Sequence, residues 1–173
     1  MDETRTLPHT AADRHTHTVD MLASLELRIP PPLLSLIAAI VMWIGARDTV
    51  PNPRPPWITP IALGIGISAL LIIAAAILTL RRAGTTVSPT RPDTSRALVQ
   101  TGVFSVTRNP IYLAATLLLL AFACHLWQPQ SFVAIPVFAA WIHRFQIIPE
   151  ERVLRATFGE AFEQYTASTR RWI

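Results

Sequence analysis

The sequence predicts an all-α integral membrane protein, with about four transmembrane helices and an amphipathic C-terminal helix on the cytoplasmic side. Three observations carry that expectation. The 173 residues are 51% hydrophobic and 15% charged, with a mean hydropathy of +0.37, which is a membrane composition for one domain. Apolar runs separated by proline-rich or arginine-bearing turns recur along the chain. After the last run the apolar residues take up a helical period.

Residues 1–28 read as a flexible tail and an interfacial segment. Met1 to Asp20 is rich in Thr, His and Asp and lacks periodicity. His9, His15 and His17 have neither a partner cysteine nor helical pairing, so they do not make a metal site. Acidic residues come first and proline heads the first apolar run, unlike a signal peptide. Met21 to Arg28 is expected to form a short interfacial helix, with Met21, Leu22, Leu25 and Leu27 on the membrane side.

Residues 29–173 then form the membrane domain. Pro30-Pro31-Pro32 opens a first span at about 31–46, short for a hydrocarbon core of about 30 Å, so Ile29 and the prolines sit at the interface. Pro51 to Pro56 turns the chain back. The second span, about 57–80, has Trp57 at one end and Arg81-Arg82 at the other. Gly64, Gly66, Ser68 and Ala69 give it a small-residue face for close packing. A polar segment, 81–109, follows. Spans at about 110–127 and 131–148, joined at Gln128-Pro-Gln130, make an antiparallel hairpin. Cys124, the one cysteine, lies inside an apolar run and reads as packing. The last helix is expected over 149–167, with Leu154, Phe158, Ala161, Phe162 and Tyr165 on one stripe. Gly159 beside the stripe allows close backbone approach, and Arg170-Arg171-Trp172 reads as an interfacial anchor.

All fifteen basic residues are arginine. Arg81, Arg82, Arg91, Arg96 and Arg108 lie on one side of the spans, with only Arg47 and Arg54 opposite. The positive-inside rule therefore puts both termini and the 81–109 segment in the cytoplasm of a multi-pass protein of the cell inner (plasma) membrane. The lipid bilayer is the expected partner. No basic stripe with interleaved aromatics points to nucleic acid. Oligomeric state is left open.

Chemistry concentrates at Thr101-Gly-Val-Phe-Ser-Val-Thr-Arg-Asn-Pro-Ile-Tyr112. Asn109 is a favoured N-cap and Pro110 a favoured first helical residue, so a helix starts there. Its positive end suits an anion such as a carboxylate. No Ser/His/Asp order, metal-ligand cluster or phosphate loop is present. The expected cytoplasmic mouth is ringed by Arg96, Arg108, Asn109, Tyr112, Gln146, Glu150 and Glu151, and ionisable groups at a membrane edge often mark a site. The competing reading makes Glu150 and Glu151 a charged helix start paired with Arg152 or Arg155. His143 and Arg144 read as interface residues.

Gly-Val-Phe-x-x-x-Arg-Asn-Pro-x-Tyr, followed by Pro149-Glu150-Glu151-x-x-Leu154-x-x-x-Phe158-Gly159-x-x-Phe162-x-x-Tyr165, resembles the isoprenylcysteine carboxyl methyltransferase family in a bacterial-type form. The phospholipid methyltransferases are its relatives. The resemblance spans about Thr85 to Trp172. It implies an S-adenosylmethionine-dependent methyltransferase with no metal. By position, it implies cofactor contacts from Arg96, Ala97, Leu98, Val99, Phe104, Asn109, Pro110, Ile111, Tyr112 and Glu150. Arg108 and Glu151 become the catalytic candidates and Gln146 the substrate residue. Departures are visible: Arg-Asn-Pro replaces the more usual Arg-His-Pro, Ala114 and Phe104 replace a glycine and a tyrosine, and Gln146 stands where an arginine meets the isoprenylcysteine carboxylate. The implied acceptor is a hydrophobic small molecule bearing a thiol, carboxylate or amine. A non-catalytic membrane assembly or sensor protein that keeps the fold is the alternative.

Overall fold

Proline decides where most of the long helices begin. In the computed structural model, which describes residues 26, 27, 29–47, 49, 52–84 and 97–173, α1 is Pro31–Arg47, α3 is Pro110–Leu126 and α4 is Pro129–Ile142. Each opens on proline, whose fixed φ suits a first turn and whose missing N–H would have had no partner there. α2, Ile58–Arg82, follows Pro55-Pro56 and Trp57. A 3-10 turn, Gly102–Ser105, precedes α3. A π turn, His143–Ile147, carries α4 into α5, Ile148–Phe158, and α6 is Glu160–Ser168. No strand occurs among the described residues.

α3 packs most extensively along α2 and also meets α1 and α4, and α1 lies against α4. The buried cluster joins Met42 of α1, Tyr112, Leu119 and Ala123 of α3, Phe138 and Ile142 of α4, and Ile147 of the π turn. The small-residue face of α2 differs from expectation. Ile58, Ala62, Ala69 and Ala76 are its buried residues, the three alanines at heptad spacing, and a Cβ at Gly66 would stand 3.8 Å from that of Ala121. A Cβ at Gly64 would meet nothing within 4 Å, and Ser68 is exposed. Alanine brings α2 close to α3 without glycine's entropic cost.

Among the described residues, two helices are long and apolar enough to cross a membrane: α2, and the continuous run Pro129–Phe158. α1 and α3 are 17-residue apolar helices. Leu36, Ile40 and Val41 of α1, Leu63, Leu70 and Leu71 of α2, and Val133 and Val137 of α4 stand exposed. Apolar faces of that extent are what a lipid environment covers.

The α3–α4 hairpin is tighter than expected. Trp127 adopts φ 52° in the left-handed region and ends α3, so α4 already starts at Pro129. Polar links tie this end to the α1–α2 connection: Asn52 Nδ2 donates to Gln128 Oε1 at 3.0 Å, and Arg54 Nη1 to the His125 carbonyl at 2.8 Å. Cys124 is buried against Ile58 and Ala62, as packing required.

The C-terminal region corrects the single amphipathic helix. The fourth run does not stop at residue 148 but continues as helix to Phe158 through the π turn. Gly159, at φ 52° and ψ −123°, then breaks the chain, so α5 and α6 are separate helices. A Cβ there would meet nothing within 4 Å; its glycine serves backbone conformation rather than close approach. Phe162 and Tyr165 are buried while Ala161 is exposed, because the break rotates α6 relative to α5. Glu26 and Leu27, the described residues of the expected helix over Met21 to Arg28, form a turn instead, with Leu27 at φ 59°. The tail from Met1 to Asp20 lies outside the described residues.

Candidate active site

The segment before α3 is held by the chain's last residues. Gly102, at φ 62°, lets the 3-10 turn settle on α2, where an added Cβ would stand 3.0 Å from Thr79 Oγ1. The Tyr165 hydroxyl donates to the Phe104 carbonyl at 2.6 Å, and burial pushes its pKa up to about 12 despite the opposing Arg108 charge. The Arg108 N–H donates to the Arg170 carbonyl at 3.0 Å, and the Thr107 hydroxyl to that of Arg171 at 3.2 Å.

Asn109 departs from the capping role. At φ −126° and ψ 55° its side chain makes no cap bond; Nδ2 donates to the Arg171 carbonyl at 2.9 Å. The Asn109 N–H is taken by Thr107 Oγ1 at 3.2 Å. Helix α3 therefore begins at the expected residue for half of the expected reason. Pro110 fixes the start, and the first-turn amides lack a side-chain cap.

Two adjacent carboxylates from the start of α5 reach this region and behave differently. Glu151 is 6% exposed and takes two guanidinium groups. Arg108 Nε and Nη2 donate to its Oε1 at 3.3 and 3.0 Å, while Arg171 Nε and Nη2 donate to Oε1 and Oε2 at 3.0 and 2.5 Å. Arg108 Nη1 also donates to the Thr166 carbonyl at 3.2 Å and to that of Thr169. The Glu151 contacts raise the Arg171 pKa further above its ordinary value. His143 Nε2 stands 3.5 Å from Arg171 Nη1. Burying a carboxylate is tolerable only when its lone pairs are filled, and here they are.

Glu150 has one partner among the described residues, the Tyr112 hydroxyl, which donates to Oε2 at 2.9 Å. Tyr112 is 5% exposed and its ring belongs to the central cluster, so the hydroxyl rather than the ring face addresses the site. Gln146 is fully buried; Nε2 donates to the Ile29 carbonyl at 2.8 Å, and Oε1 has no partner among the described residues. Leaving such an atom unsatisfied costs about 1–3 kcal/mol. Arg144 pairs with Glu26 at 2.9 Å and stacks over Phe145.

The structure thus brings Arg108, Asn109, Pro110, Tyr112, Glu150 and Glu151 to one end of the helices. Phe104 and Ile111 stand half-buried beside them. Ala97, Leu98 and Val99 are half-buried without regular structure, and Arg96 lies outside the described residues. Sequence reasoning missed Arg171 and Tyr165 as parts of this arrangement. Arg171 and Trp172 turn inward, Trp172 onto the central cluster, which corrects the interfacial-anchor reading; only Arg170 is exposed. Glu151 pairs with Arg108 and Arg171, while Arg155 pairs with Glu163 at 2.5 Å and Arg152 with Glu26 at 3.2 Å. Two cations near the chain's end opposite two acidic residues at a helix start were the available signal.

The phospholipid methyltransferase family model matches residues 58–161, from the first residue of α2 into α6. An uncharacterized protein of Haemophilus influenzae is 33% identical over 63 residues, which is 36% of this chain and 100% of that protein. No solved structure matches the chain. The family match covers more than half of the sequence and takes in both the Arg-Asn-Pro-x-Tyr segment and the paired glutamates. The chain belongs to the phospholipid methyltransferase family.

Proposed function

We propose that this chain is an integral-membrane, S-adenosylmethionine-dependent methyltransferase acting on an amphiphilic or lipid-soluble small acceptor, resembling the isoprenylcysteine carboxyl methyltransferases within its family. The observation that carries the reading is the Tyr112–Glu150 bond, which joins the two motifs across 38 residues and leaves one carboxylate oxygen of Glu150 without a partner among the described residues.

The residues present fit such a cofactor. The open oxygen of Glu150 suits an ammonium or a ribose hydroxyl. The uncapped first-turn amides of α3, at Ile111 and Tyr112, suit a carboxylate. Phe104 offers an aromatic ring at the same end, and the resemblance implies cofactor contacts from Ala97 to Val99 as well. When bound, the cofactor supplies a methyl group on a cationic sulfonium for in-line displacement. The protein's share is to orient, to shield and to exclude water. Arg108 and Glu151 direct their polar atoms at each other and at the C-terminal tail, so in this reading they act by positioning the Asn109–Tyr112 segment. The acceptor enters between helices from the bilayer, with Gln146 beside its path.

The same reading has four spans, α1 to α4, in the inner membrane, with both termini cytoplasmic. α1 and α3, 17 residues each, are about 26 Å long, slightly shorter than a hydrocarbon core. The distribution of arginines supports the orientation. A reporter fused at Ile173 should read cytoplasmic, and a periplasmic readout overturns the topology.

The decisive test of function is S-adenosylmethionine binding to the detergent-purified protein, followed by a screen of hydrophobic thiols, carboxylates and amines. Micromolar binding with methyl transfer to one of these classes is the expected result. A folded protein that binds no S-adenosylmethionine returns the chain to a non-catalytic assembly or sensor role.

A further inference from the structure

Two causes of a helix bend fall together where α4 passes into α5. In the π turn the Ile148 N–H donates to the His143 carbonyl, five residues back. Pro149 follows at once and has no N–H to give to the Phe145 carbonyl four residues back. A helix interrupted in both ways bends there more readily than elsewhere. Beyond this joint, the first turn of α5 carries Glu150 and Glu151. The angle of the joint therefore sets where both carboxylates stand.

Residues ahead of α1 bridge the joint from outside the helix. The Leu27 N–H donates to the Phe145 carbonyl at 3.1 Å. Gln146 Nε2 donates to the Ile29 carbonyl at 2.8 Å. Glu26 divides its carboxylate between the two sides of Pro149: Oε1 accepts from Arg144 Nη1 at 2.9 Å, and Oε2 from Arg152 Nη1 at 3.2 Å. Both arginines are exposed, while the Glu26 side chain is 15% exposed. Leu27 holds φ 59°, a conformation costly for a residue with a branched side chain and kept only where surrounding contacts impose it. These four bonds are such contacts.

We propose that Glu26, Leu27 and Ile29 form a splint across the α4–α5 joint, which fixes the angle at which α5 presents Glu150 to Tyr112. Glu26 and Arg152 are thereby positioning residues for cofactor binding, and this part rests on the methyltransferase reading above. Neither has to touch the cofactor, because each acts through Glu150. Arg152 is the informative member. An exposed surface arginine ordinarily contributes little, but the Glu26–Arg152 bond is the one that carries the splint past Pro149.

The experiment uses the full chain in lipid nanodiscs, as wild type, Glu26→Ala, Arg152→Gln, Arg152→Lys and the double variant Glu26→Ala/Arg152→Gln. S-adenosylmethionine affinity is measured by calorimetry. Hydrogen exchange is followed, without cofactor, at the Leu27 amide and through the first turn of α5. Glu26→Ala and Arg152→Gln should each speed exchange in that turn several-fold and weaken cofactor binding roughly three- to tenfold, the scale of a partly shielded ion pair. Glu26→Ala should speed exchange at Leu27 as well. Arg152→Lys keeps the charge and should recover most of the affinity. The double variant should bind no worse than Glu26→Ala, since both substitutions break the same bridge. Wild-type exchange and affinity in Arg152→Gln overturn the splint, by leaving Glu26 to anchor the chain ahead of α1 and nothing more. Losses that add in the double variant overturn it too, as does a thermal midpoint that falls in step with affinity in Arg152→Gln. Failure of the wild type to bind S-adenosylmethionine overturns the underlying reading, and exchange in the first turn of α5 then decides the splint by itself.

Discussion

Glu150 and Glu151 are neighbours in sequence and opposites in circumstance. Glu151 is enclosed by two arginines, one from the segment before α3 and one from the tail, with its lone pairs filled. Glu150 meets one tyrosine hydroxyl and keeps capacity in hand. A saturated buried charge resists rearrangement, because any partner it loses leaves a charge stranded in low dielectric. A carboxylate with an open oxygen can gain a ligand at no such cost. The contrast separates the part of this site that holds shape from the part suited to chemistry.

The strongest way to break the contrast is at Glu151. Removing its carboxylate leaves Arg108 and Arg171 facing each other, and losing one partner of a buried pair costs about 3–5 kcal/mol. Glu151→Ala should therefore lower the thermal midpoint in detergent sharply and free the C-terminal tail to proteolysis. Unchanged stability would show that the clasp holds nothing.

Glu150→Ala should do the reverse. A charge-assisted hydrogen bond is worth about 1.5–3 kcal/mol, so S-adenosylmethionine affinity should fall roughly ten- to a hundredfold while the melting curve stays put. An unaltered affinity returns Glu150 to a helix-start carboxylate.

Tyr112→Phe removes only the hydroxyl and keeps the ring in the central cluster. A neutral hydrogen bond contributes about 0.5–1.5 kcal/mol, so a loss of about three- to tenfold in cofactor affinity is expected by the same calorimetry. A loss as large as that of Glu150→Ala would make the hydroxyl itself a ligand.

Arg155→Ala marks the bottom of the scale. Its pair with Glu163 is exposed on both sides, and such pairs contribute about 0–1 kcal/mol. Stability and cofactor binding should both stay within error, and a clear drop in either would mean that α5 and α6 are coupled through that pair.

Much of the helical layout was legible because it rests on local signals. Pro31 and Pro110 mark helix starts by their own covalent geometry, and the apolar runs mark lengths. What escaped was set by distant contacts or by backbone torsion. The stripe from Leu154 to Tyr165 fits one helix on paper, yet Gly159 at positive φ divides it, and periodicity carries no information about torsion. Asn109 has the composition of a cap, but the Arg171 carbonyl, 62 residues on, competes for its side chain. The motif residues Arg108, Tyr112, Glu150 and Glu151 do converge, whereas their pairing within the cluster depends on Arg171, which carries no local mark of burial.

Pro149 shows what the usual ranking of residues by helix preference leaves out. A designer scanning this chain would see a proline inside a 30-residue helical run and replace it with alanine, the best helix former. The exchange would return an N–H to position 149 and let the helix claim the Phe145 carbonyl for itself. Leu27, whose N–H now donates to that carbonyl at 3.1 Å, would then have to share its acceptor, and the hold on the chain ahead of α1 would weaken. In this protein a flaw in one helix is the attachment point for another segment, so mending the helix would loosen the molecule.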